Sequence, residues 1–220
     1  MVERKGLLET EHLTNKGWEI RRAGGTKHET YFNESTQQWL RTNPTRYGSE
    51  GTLEEELKVF RASLAGFDQG RLAKLVRKVD FEGKQAILSP NFGETLSCLD
   101  ARAKELGIQL PPSFFKQMLV DAQEMVGKGV NKGLSKQFGE DEHIVCYIVD
   151  NRLRFGFLDP NENELLPPEE IKIRKNLIRA GVFSLAEAYY GYSGEEVEAA
   201  PDLELPHLGG FIPYIKNFDE

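Results

Sequence analysis

Residues 143–158 constrain this chain more tightly than any other stretch. His143–Val149 is an almost unbroken apolar run, Arg152–Leu158 alternates Arg152, Leu153, Arg154 and Phe155, and Asp150-Asn151 stands between them. Strand side chains alternate between faces, and a two-residue Asp/Asn turn matches the twist of paired strands. The segment therefore predicts a β-hairpin.

The residues ahead of it read as helices. Thr52-Leu53-Glu54-Glu55 has the form of a capping box, followed by Leu53, Leu57, Phe60 and Leu64 at helical spacing. Asp68 opens a second pattern with Leu72, Leu75, Val76 and Val79 on one face and Arg71, Lys74, Arg77 and Lys78 on the other; a short β-like stretch, Lys84–Leu88, follows. Glu94–Leu106 predicts a helix stopped by Gly107, and Pro111-Pro112-Ser113 starts another through Phe115, Met118, Leu119, Ala122, Met125 and Val126. Beyond the hairpin, Glu170–Arg174 suggests a further strand, and Ser184–Tyr190 a short helix boxed by Ser184 and Glu187. The class is α+β: a small N-terminal antiparallel β module over residues 10–47, then a mixed helix and β-hairpin domain over 52–220.

The N-terminal module has its own signature. Gly17-Trp18-Glu19, Arg21, Tyr31-Phe32-Asn33, Thr36, Trp39 and Pro44 occur in order, with Gly24-Gly25 marking a turn. In this pattern residues 13–44 resemble a WW domain. The resemblance implies a three-stranded twisted sheet in which Trp18 packs on Pro44. It also implies a groove, built from Tyr31 or Phe32 together with Trp39, that grips proline-rich ligands in the polyproline II form. Trp39 stands two residues nearer Asn33 than the family spacing. That shift keeps it on the same strand face but shortens the preceding loop. Glu34 and Gln38 replace the family's histidine and hydroxyl residue.

Charge narrows the partner classes. The formal net charge is −7. Residues 183–220 carry eight acids (among them Glu195, Glu196 and Glu198) against the single base Lys216, while residues 1–182 balance. A balanced body with an acidic end lacks the basic footprint that nucleic acid requires, so a basic protein is the expected partner of that end. Leu106-Gly107-Ile108-Gln109-Leu110-Pro111-Pro112 resembles the opening of a family of domains many of whose bacterial members are immunity proteins that neutralise toxins. That likeness implies an inhibitor of a basic protein. No apolar run is long enough to cross a membrane, the first residues lack an apolar leader core, and Cys98 and Cys146 are too few for a disulfide scaffold. A cytoplasmic protein without a membrane partner is expected.

The leading expectation is a non-enzymatic binding protein without a cofactor or metal: a proline-rich-ligand adaptor or an inhibitor of a basic partner. The alternative is a metal-dependent nuclease or other phosphate-handling hydrolase. Its candidates are Asp159 with Glu170 and Lys172, since two carboxylates hold Mg²⁺ while a lysine polarises the phosphate or the attacking water. Gly127–Gly139, with Lys128, Lys132 and Lys136, has the composition of an anion-binding loop but puts Leu134 where a Walker lysine belongs. Cys146 and His143 lie three apart on one strand and point to opposite faces, which leaves distant His207 as the alternative partner for Cys146. Cys98 reads as a small core residue.

Overall fold

The computed structural model describes residues 12–21, 29–42, 53–66, 75–137, 139–149, 152–158 and 165–204. In chain order the strands are β1 His12–Leu13, β2 Glu19–Ile20, β3 Thr30–Asn33, β4 Gln38–Thr42, β5 Arg77–Phe81, β6 Lys84–Pro90, β7 Glu94–Thr95, β8 Ile144–Val149 and β9 Arg152–Phe157. The helices are α1 Leu53–Ala62, α2 Leu96–Glu105, α3 Pro112–Gly127, α4 Pro168–Tyr190 and α5 Gly194–Ala199, with a 3₁₀ turn at Glu140–His143. The fold is α+β. Its residues divide into two compact units, one drawn from 1–57 and 70–91, the other from 58–69 and 92–220.

The first unit is a six-stranded sheet in the order β1-β5-β6-β4-β3-β2, antiparallel except for the β1–β5 pair. The β2-β3-β4 meander turns at Glu34–Gln37, where Asn33 Oδ1 accepts the N–H groups of Ser35 at 3.1 Å and Thr36 at 3.2 Å. Gly17 has φ +83°, and a Cβ there would stand 3.2 Å from Asn33 Nδ2, so glycine suits the close approach. On one face Tyr31, Leu40, Val79, Phe81, Ala86 and Leu88 form the core, with Leu13 and Trp18 packed against them. Trp18 meets Phe81 edge-on, ring centroids 6.3 Å apart. Pro44, its partner by family resemblance, lies outside the described residues.

Two expectations change here. The meander does not end at β4: Gln38–Thr42 pairs along its whole length with Ala86–Pro90 of β6. Arg77–Phe81 is a strand rather than the end of a helix, because Glu82 and Gly83 take left-handed φ of 50° and 80° and turn the chain back. Such a pair of residues makes the tight turn that hairpins favour, and Asp80 Oδ1 accepts the Gly83 N–H at 3.0 Å. Arg71 and Lys74 lie outside the described residues. Lys78 reaches Glu54 at 2.7 Å.

The second unit packs α2, α3, α4 and α5 with the antiparallel sheet β7-β8-β9. The expected hairpin is present, Ile144 facing Phe157 and Val149 facing Arg152. Its outer edge is closed by the chain after α1: Leu64 bridges Gly156, and the Phe157 N–H donates to Ser63 O at 2.9 Å. Tyr147, fully buried, sets its hydroxyl within hydrogen-bond reach of Ala65 O at 2.7 Å and Phe155 O at 3.0 Å. Phe114, Phe115, Phe155 and Phe157 are wholly buried in this core. Each contributes about 1.5–3 kcal/mol through removal from water.

Glu170–Arg174 is helix, not strand. It belongs to α4, which runs unbroken past Ser184 to Tyr190 and stops at Gly191 in the left-handed region, φ +75°. Ser184 is therefore a mid-helix residue. The capping box of this region sits instead at Ser193 and Glu196, opening α5. Cys98 is exposed on the first turn of α2 rather than buried.

Candidate functional site

The sheet of the first unit presents a second face, opposite its core. Antiparallel register places Glu19 across from Phe32, Phe32 across from Trp39, and Trp39 across from Ser89, four same-face side chains in one row. Phe32 and Trp39 are each partly exposed and lie in contact, ring centroids 4.6 Å apart and planes tilted by 41°. Tyr31, the other groove candidate, points to the opposite face, is buried there, and meets Phe81 at 4.9 Å. The aromatic pair on this face is thus Phe32 with Trp39, while Trp18 and Tyr31 serve the core.

The pair has built supports. Trp39 Nε1 donates to Asn91 Oδ1 at 3.4 Å, and Asn91 is held to Gln37 through its backbone N–H at 2.8 Å and its side chain at 3.3 Å. One row along, Arg41 meets Glu56 of α1 at 3.5 Å. The face is a half-buried aromatic ledge bordered by amides, a serine and charged side chains. It offers ring surface and hydrogen-bonding edges.

The second unit holds two polar clusters. Asp121 on α3, with no exposed surface, accepts the Phe155 N–H at 2.8 Å and the Gln117 side-chain amide at 3.0 Å, and faces Arg154 at 3.1 Å. Burial pushes its carboxyl up to about 7 despite the Arg154 guanidinium. Glu124, one turn on, is also opposed by burial. Hydrogen bonds from Lys128 and the Gly66 N–H, with Arg154 beside them, nevertheless hold its carboxyl below the ordinary range. The network fastens α3 to β9 and to the chain at Gly66.

The other cluster gathers on α4. The Tyr189 hydroxyl donates a hydrogen bond to the buried Asp141. Lys136 Nζ lies 3.5 Å from the Tyr189 ring centroid, and Lys104 lies 5.3 Å from it. Burial, then Asp141, raise the Tyr189 hydroxyl well above an ordinary phenol.

These contacts decide what the lysines of Gly127–Gly139 do. Lys128 binds Glu124 at 2.8 Å, Lys132 is buried, and Lys136 covers Tyr189, so the three do not converge on one anion site. The loop is packed: Val130 and Leu134 are buried, and a Cβ on Gly181 of α4 would stand 2.6 Å from Leu134 O.

Of the hydrolase candidates, Asp159 lies outside the described residues. Glu170 and Lys172 are exposed on the first turns of α4, two positions apart, and so point to different sides of the helix. Among the described residues no group of three or more His, Cys, Asp or Glu could hold a metal ion. Cys146 is fully buried and burial pushes its thiol well up, the reverse of an activated nucleophile; His207 lies outside the described residues. Of the acidic end, Glu196 caps α5 with Ser193, Glu198 pairs with Arg179 at 2.6 Å, and Asp202 pairs with Lys116 at 3.2 Å. Glu195 is exposed on the first turn of α5. No helix among the described residues is long and apolar enough to cross a membrane.

No protein-family model matches this chain, and no curated protein matches it significantly. The polar networks escaped sequence reasoning because Asp121 and Arg154 are far apart in the chain. A charged residue inside the apolar stripe of α3 was the one available signal.

Proposed function

We propose that the chain is a non-enzymatic binding protein whose Phe32–Trp39 face receives an extended, proline-rich segment of another protein. The observation that carries this reading is the side-by-side placement of two partly exposed aromatic rings, in register on neighbouring strands and away from the core. A flat aromatic ledge suits proline because a polyproline II segment is already extended and loses little conformational entropy on docking.

The test is a titration of the ¹⁵N-labelled chain with a neutral decapeptide rich in proline. Binding at this face moves the Trp39 indole N–H resonance and the amides of Phe32 and Asn91 in a saturable manner. Resonances that stay in place at millimolar peptide overturn the reading.

A further inference from the structure

We infer that the segment received at Phe32–Trp39 carries a lysine or arginine three positions from the proline seated on Trp39, and that Glu19 reads it. This rests on the binding reading above and adds the chemistry and spacing of the partner.

Glu19 stands in the same row as the aromatic pair, one strand beyond Phe32. Its side chain is 64% exposed, and its contact with Arg21 Nη2 at 2.9 Å joins two exposed groups two residues apart. An exposed pair of that kind contributes little, so an incoming cation exchanges with Arg21 at small cost. The neighbouring cations Arg41 and Lys78 face Glu56 and Glu54 of α1, and among the described residues Glu19 is the carboxylate in the same row as the aromatic pair.

The spacing follows from geometry. Strands lie about 4.8 Å apart, so from Trp39 on β4 to Glu19 on β2 is about 9.6 Å. A polyproline II segment advances about 3.1 Å per residue and covers that distance in three residues. A cation placed there also passes the Phe32 ring, whose face attracts positive charge.

The experiment compares two proline-rich decapeptides, identical except for Lys or Glu three positions from the central Pro-Pro, titrated into the full chain with tryptophan fluorescence as readout. The expected result is three- to tenfold tighter binding of the lysine peptide. Glu19→Gln removes that gap, R21Q widens it, and high salt narrows it. Equal affinities for the two peptides, or a gap that survives E19Q, overturn this inference and leave the binding reading standing. Failure of both peptides and of a neutral proline-rich peptide overturns both. Glu19 is exposed, so an unchanged circular dichroism spectrum of E19Q separates lost recognition from lost fold.

Discussion

Asp121 and Phe155 are thirty-four residues apart in the chain, and the carboxylate of one accepts the main-chain N–H of the other at 2.8 Å with no exposed surface on the acid. That bond places an ionisable group between the apolar stripe of α3 and the outer strand β9 of the hairpin. It makes the stability of the second unit depend on pH.

The sign follows from the raised carboxyl, about 7 in the folded chain against an ordinary 3.8. Between those values the native state holds a proton that the unfolded chain has released. The contribution is complete below about pH 4 and is lost as pH rises through about 7, with a slope near 1.4 kcal/mol per pH unit. Asp121→Asn abolishes the titration, so urea denaturation of the two proteins from pH 4 to 8 gives curves of different slope. Parallel curves would show that Arg154 keeps the group ionised throughout.

Gly181→Ala tests the packed loop. In an ordinary helix this change stabilises by up to about 1 kcal/mol. Here the added Cβ meets Leu134 O at 2.6 Å, and about 1–3 kcal/mol of overpacking reverses the sign. S184A, at an exposed position of the same helix, is the control and shifts the melting temperature little.

The two tryptophans separate by role. W18A removes an edge contact with Phe81 in the core and costs about 2 kcal/mol, less than the 3–5 of a fully buried ring. W39A leaves the core face intact and weakens proline-rich peptide binding at least about tenfold. Melting curves and peptide titrations of both variants check the pairing; W39A binding as tightly as the parent chain would remove the ledge from consideration.

Tyr189→Phe deletes the hydroxyl that donates to Asp141, which is only 5% exposed. The expected loss is about 1–3 kcal/mol, since a buried acceptor is left without that donor. Spectrophotometric titration of the wild-type chain then shows one more tyrosine resisting ionisation at high pH than the variant does.

Much of the second unit is legible in the residues because its signals are local. The apolar runs of β8 and β9 announce a paired hairpin with Val149 opposite Arg152, Gly107 closes α2, and Pro111-Pro112 opens α3. The misread stretches have ambiguous periods. Val79 fits a helical stripe begun at Leu72, yet it also lies two residues from Phe81, and only the Glu82-Gly83 turn decides for a strand. The first turns of α4 obscure their own helix because Ile173 and Leu177 are 64% and 55% exposed, which blurs the apolar stripe. For the ledge, the spacing of Trp18, Tyr31, Phe32 and Trp39 left two groove candidates. Register alone assigns Phe32 to Trp39, and register depends on pairing that no local pattern encodes.

The pairing of β4 with β6 has a consequence for the order of events at the ribosome. The meander emerges first, but its innermost strand gains its second neighbour only when residues 84–90 have left the exit tunnel. Until then Gln38–Thr42 offers unpaired backbone groups to any passing strand. Assembly of the sheet therefore waits for Pro90 to clear the tunnel, and a chain stalled before that point is the form most exposed to misassociation.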